Sequence, residues 1–121
     1  MIVSSFFENV SQHVYEKREL APGEKEKNVV LHFNPNPSQD MAIACLWAHW
    51  EGKDAPPLDS FAAVTDDPPP EIAATGHNRI IISIKESNID EWLRPSGVSE
   101  GRLQEILSDR ERPYYEHRIA A

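Results

Sequence analysis

At 121 residues, with 40% hydrophobic and 26% charged side chains, the chain has the size and balance of one globular domain with a single core. It holds no apolar run of the roughly eighteen residues that a membrane helix needs, and its single cysteine excludes an internal disulfide framework or a multi-cysteine zinc site. The net charge of −8 is spread evenly, −4 over residues 1–60 (5 basic, 9 acidic) and −4 over residues 61–121 (7 basic, 11 acidic), which disfavours non-specific duplex binding.

In chain order, Ile2 to Val10 is apolar and aromatic and predicts a strand, with polar Gln12 to Leu20 continuing a hairpin. Ala21-Pro22-Gly23 and the self-cancelling Glu24-Lys25-Glu26-Lys27 form a solvated turn. Asn28 to Phe33 predicts a β-branched strand, broken by Asn34-Pro35-Asn36-Pro37-Ser38. Met41 to Trp50 is a continuous apolar stretch of strand length, which predicts a central strand buried on both faces. Ser60 to Thr65 predicts another strand. Pro68-Pro69-Pro70 suits a helix start, so Glu71 to Thr75 predicts a helical turn ended by Gly76. Arg79 to Ile84 is the clearest strand signal in the chain. Ser87 or Asn88 caps a short helix with Ile89, Trp92 and Leu93 on one face, and Pro95-Ser96-Gly97 stops it. Ser99 then caps a helix with Leu103, Ile106 and Leu107 as its buried stripe, and Tyr114 to Ile119 predicts a last strand.

The order is strand-rich, then short helices, then a strand, so the expected class is α+β with a mostly antiparallel sheet and two or three short helices. Met41–Trp50, Ser60–Thr65 and Arg79–Ile84 are expected in one sheet, with Trp47 and Phe61 largely buried.

The sequence has no phosphate-cradling glycine loop, no GxSxG and no HExxH. Its five histidines are scattered without ligand spacing, so neither a metal nor a cofactor is expected. Cys45, between Ala44 and Leu46, is expected as a small core residue. Six arginines in the second half leave room for a local anion pocket. Two residues stand out. Glu8 follows Phe6-Phe7 inside an apolar strand, where a carboxylate belongs either to the outer face or to a site. His77 follows Gly76 at a strand-end loop, where a rigid sheet presents catalytic groups.

These residues also carry a resemblance. Met41-Ala42-Ile43-Ala44-Cys45-Leu46-Trp47-Ala48-His49-Trp50 resembles the strand written FAFAGLWxxW in the SRAP (SOS response-associated peptidase, abasic-site processing) family. Ser60-Phe61 to Thr65 is similar to the strand that follows it, His77-Asn78-Arg79 to the family's His-Asn/Asp-Arg, and Phe6-Phe7-Glu8 to its GFYEW, all in the family's order. The resemblance implies a barrel-like α+β fold with a groove for single-stranded DNA. It also implies an N-terminal cysteine whose thiol and amine form a thiazolidine with the aldehyde of an abasic site, assisted by a glutamate, an asparagine and a histidine. Glu8 and His77 match the last two surviving positions of that set, as the glutamate and the histidine, and are expected to face one cleft. Asn78, Arg79 and Arg118 are the expected DNA contacts.

The sequence departs from the family pattern at several positions. Ile2 follows Met1 where a cysteine would stand, Ser5 and Asn9 flank Phe6-Phe7-Glu8 in place of glycine and tryptophan, and Ile80-Ile81 replaces Met-Pro. The expectation is therefore a single SRAP-like domain, truncated at its N-terminus relative to the family, that binds abasic DNA without crosslinking to it. The alternative is a non-catalytic protein-interaction module that retains the fold, with a homodimer formed through exposed sheet edges. MIVSSFFENV shows no signal-peptide features, so a cytoplasmic protein is the simplest reading.

Overall fold

A computed structural model describes residues 1–120. Along the chain run β1 (Ile2–Val3), β2 (Phe6–Ser11), α1 (Gln12–Tyr15), β3 (Asn28–Asn36), β4 (Met41–Ala42), β5 (Cys45–Trp50) and β6 (Leu58–Ala63). There follow β7 (Thr65–Asp66), α2 (Pro70–Ala73), β8 (Ile80–Ile81), β9 (Ser83–Ile84), a 3-10 turn (Glu86–Asn88), α3 (Ile89–Leu93), α4 (Glu100–Ser108), β10 (Arg110–Glu111) and β11 (Tyr114–Ile119). The class is α+β, as expected. Its strands form several small antiparallel sheets, with no closed barrel among the described residues, so "barrel-like" is corrected. The described residues contain four short α-helices, against the two or three expected. Among the described residues no helix is long and apolar enough to cross a membrane.

The chain divides into two compact units. One is built on Val3–Met41, Asp66–Ile80 and the chain from Arg112 onward, and contains an antiparallel sheet in the order β11-β3-β2. Alternation sorts its residues: Leu31, Phe33 and Pro35 are buried, while His32 and Asn34 point to the other face. Phe6 pairs with Phe33 and Glu8 with Leu31, so Phe6, Glu8 and Val10 share the core face. There Phe6 stacks on Phe33 with ring centroids 5.2 Å apart and meets Tyr115 edge-on at 5.5 Å. The Tyr115 hydroxyl donates to Met41 Sδ at 3.5 Å, and burial, then the nearby Glu71 charge, pushes the phenol up to about 12.

Three local expectations are corrected in this unit. The strand expected over Ile2–Val10 is interrupted at Ser4-Ser5. Gln12 to Leu20 does not extend a hairpin; it turns into α1, where the Glu16 N–H bonds to the Gln12 carbonyl at 2.9 Å and their side chains bond at 2.7 Å. The turn ends at Lys17, whose φ is 56°. β3 also runs through Pro35 to Asn36 instead of breaking at Asn34. The reason is that β2 pairing stops at Phe6↔Phe33, so beyond Phe33 β3 is an edge on that side. A proline, which has no N–H to donate, is tolerated on an edge.

The other unit comprises Met1–Ile2, Ala42–Thr65 and Ile81–Glu111. Its core is Ala44, Ile82, Ile84 and Ile106, with Val64, Ile89, Trp92, Leu103 and Leu107 packed around it. Ser99 caps α4 as expected, its Oγ accepting the Arg102 N–H at 3.1 Å, and this aims Leu103, Ile106 and Leu107 at the core. Asn88 occupies the α3 cap position, but its side chain makes no cap bond; it reaches Asp109 at 3.2 Å instead.

The three strands expected in one sheet instead meet at a ring of backbone bonds. Ala44 N–H donates to the Ile82 carbonyl (2.9 Å), Ile82 to Val64 (3.2 Å) and Val64 to Ala44 (2.8 Å). Each strand is broken at its ring residue. The Met41–Trp50 run is correspondingly split: Met41, Ile43 and Ala44 are buried, whereas Leu46 to Trp50 in β5 pair only with β6 and stand in solvent. Trp47 is 74% exposed and Phe61 69%, which reverses the expectation of burial. A continuous apolar run has no period, so it records hydrophobicity without saying which neighbour covers it.

Candidate functional site

The site is assembled in the unit that holds the three-stranded sheet. Glu8 sits in the middle of β2, its neighbours along the core face being Phe6 and Val10. The second component arrives on α2. Pro70 opens that helix where its fixed φ suits the first turn and its missing N–H costs nothing. Two contacts then fix α2. At its start Glu71 Oε1 accepts the Tyr115 N–H of edge strand β11 at 3.3 Å. After its end Gly76 turns at φ +93° against β2 and α1, so close that a Cβ there would lie 2.5 Å from Val14 Cγ1 and 3.2 Å from Val10 Cγ1. Only glycine allows both that dihedral and that approach.

His77 follows immediately, and its Nε2 lies 3.4 Å from Glu8 Oε2. The imidazole side chain is 17% exposed and the carboxylate 31%, so the pair is shielded yet reached by solvent. A carboxylate and an imidazole are both side chains that carry protons in catalysis, and here they stand within reach of one another. A pair of this kind can pass a proton to or from a group placed beside it.

The expected DNA contacts distribute unevenly. Asn78 and Arg79 follow His77 directly, both exposed, with Arg79 Nη1 3.6 Å from Asp67 Oδ1. Arg118 is not brought to the pair. It lies opposite His32, and His32 lies opposite Phe7, so the three form a row on the sheet face away from Glu8. In that row Phe7 and His32 stack at 4.3 Å with planes 9° apart, and Arg118 Nε and Nη2 donate to His32 Nδ1 at 3.2 and 3.1 Å. With Nδ1 accepting, the imidazole proton falls to Nε2, which is buried without a partner.

Cys45 belongs to the other unit. It is half-buried rather than a core residue and lines an apolar cleft with Leu46, Trp47 and Trp92. Among the described residues no group of three or more His, Cys, Asp and Glu side chains is placed to hold a metal ion.

Glu8 and His77 are legible in the sequence, whereas the residues that position them are not. Glu71 and Tyr115 carry no motif, and Gly76 read only as a helix end. Its following directly on a proline-opened turn was the one available signal. In comparison with known proteins, a family model described as SOS response associated peptidase (SRAP) matches residues 1–120. No curated protein and no solved structure matches the chain.

Proposed function

Because the chain belongs to the SOS response associated peptidase (SRAP) family, we propose that it recognises abasic sites in single-stranded DNA through the Glu8–His77 pair. The observation that supports this reading is the 3.4 Å approach of the two side chains in a half-buried setting. An abasic deoxyribose interconverts between a closed hemiacetal and an open aldehyde. Opening the ring removes the proton of the anomeric hydroxyl and delivers one to the ring oxygen. A coupled carboxylate and imidazole can perform both transfers. Asn78 and Arg79, next to His77, serve the flanking sugar and phosphate, and Arg118 is an outlying phosphate contact on the other sheet face.

Covalent capture is a separate matter. A thiazolidine needs a thiol and a free amine on adjacent carbons of one residue. The one thiol in residues 1–121 is that of Cys45, whose own nitrogen is a peptide amide. Glu8 and His77 move protons and do not supply the ring atoms. Residues 1–121 as an isolated polypeptide are therefore proposed to bind reversibly and to form no heat-stable adduct.

The test is fluorescence anisotropy with a labelled single strand carrying one abasic site, against the same strand intact. The expected result is tighter, salt-sensitive binding of the abasic strand, with the preference lost in Glu8→Gln and His77→Ala variants that retain their circular dichroism. Equal affinity for both strands, or a preference that survives both substitutions, contradicts the reading. On a denaturing gel the oligonucleotide is expected to run free. A retained band abolished by Cys45→Ala would overturn the claim of reversibility. A protein-interaction role rests on a different feature, the exposed apolar hairpin β5–β6.

A further inference from the structure

On the sheet face away from Glu8, the row of Phe7, His32 and Arg118 crosses all three strands of the β11-β3-β2 sheet. His32 is pinned from one side, where Arg118 Nε and Nη2 donate to its Nδ1 at 3.2 and 3.1 Å. On its other side the imidazole lies flat against Phe7, with ring centroids 4.3 Å apart and planes 9° apart. Phe7 is nevertheless 59% exposed, and β2 is an outer strand of this sheet. The stack therefore ends in an aromatic ring that His32 covers on one face and no further strand of the sheet covers on the other. Charge also sets this face apart. By alternation the three strands place only two charged side chains on it, Glu116 and Arg118, and Glu116 is engaged by the Asn36 amide at 2.6 Å. In a chain of net charge −8, such a balanced face repels a polyanion less than the surface as a whole does.

We infer that this row is a stacking platform for an unpaired nucleobase of single-stranded DNA, with Arg118 contacting a neighbouring phosphate. The inference rests on the reading of the chain as a binder of single-stranded DNA, and it adds a contact that an intact strand makes as well as an abasic one. Any nucleobase stacks on an exposed aromatic ring, and a ring already held flat by its neighbour loses little freedom in the process. Arg118 is exposed, and His32 engages only part of its guanidinium fork, so other N–H groups are left for phosphate oxygens. Phe7 and Arg118 stand two strand spacings apart, roughly 10 Å, within the span of the about four nucleotides that the smallest sheet-borne sites hold. Asn9 and Asn34, each two residues along its strand and on opposite sides of the row, offer amides to polar base edges.

The test is fluorescence anisotropy of the 121-residue chain with a labelled, intact oligothymidine of about ten nucleotides. Phe7→Ala is expected to weaken binding on the order of tenfold, whereas Phe7→Trp retains it. Arg118→Gln is expected to lower the slope of log affinity against log salt by about 0.7, the value for one phosphate contact on a single strand. The preference for an abasic over an intact strand is expected to survive Phe7→Ala, since Glu8 lies on the other face of the sheet. Should Phe7→Ala perturb the fold, the Phe7 ring protons of the wild-type chain give a second reading, and stacking of the oligothymidine is expected to move them upfield. Affinity for the intact strand that is unchanged in Phe7→Ala, ring signals that stay in place, or no binding of the intact strand overturns the inference. Each of these results leaves the abasic preference to be judged by Glu8→Gln and His77→Ala, so the two readings fail separately.

Discussion

At Gly76 the backbone runs at φ +93° with the nearest atom to a hypothetical Cβ only 2.5 Å away, on Val14. Gly76→Ala therefore meets two penalties, an unfavourable left-handed dihedral and an overlap with packed valine side chains. Together they are expected to destabilise the fold by about 1–3 kcal/mol, read as a lower urea midpoint with an unchanged slope. An unchanged midpoint would mean that the turn relaxes freely and does not fix His77. The same scale shows what the sequence left open at Glu8. Its neighbours Phe7 and Asn9 are exposed while Val10 is buried, so the period of two puts the carboxylate on the core face. That assignment needed the strand register, because Phe6-Phe7 places one aromatic on each face and favours neither.

Among the elements, those governed by nearby residues were legible. Ser99 caps α4 as the sequence indicated, and Ser99→Ala, which leaves the Arg102 N–H without its 3.1 Å acceptor, is expected to cost about 1 kcal/mol in thermal unfolding. β11 likewise occupies Tyr114–Ile119 as expected. Elements governed by distant partners were not legible. Nothing in the Met41–Trp50 run marks Ala44 as the residue where ladder pairing gives way to the backbone ring, and so its second half was expected in the core. The hairpin that results carries a titratable clasp at His49. Hydrogen bonding to Asp59 first, and to Glu51 second, raises this imidazole above its ordinary value of 6.5. A folded-state value above the unfolded one means that the clasp contributes fully below about pH 6.5 and fades as pH rises through the raised value. Backbone amides of β5 and β6 are thus expected to exchange more slowly at mildly acid pH than above neutrality, after correction for intrinsic rates. Exchange that is flat across this range, or slower on the alkaline side, would contradict the clasp.

For the whole molecule, the acidic charge that argues against duplex binding is compatible with a local site that reads one sugar. The α+β class followed from element order, since strand-rich segments precede the short helices α3 and α4. Sheet organisation did not follow, because two-residue strands such as β7 and β8 leave no periodic trace in the sequence. The family was legible because its motifs are local and ordered along the chain, and the match over residues 1–120 spans them all. The central claim is that Glu8 and His77 act on an abasic sugar, and the most direct measurement is NMR of the His77 imidazole during titration with DNA. Addition of a single strand containing an abasic site is expected to shift the His77 ring signals and the Glu8 carboxylate carbon, while the intact strand leaves both in place. Perturbations confined to Arg118, His32 and Phe7, or identical shifts with both strands, would contradict it.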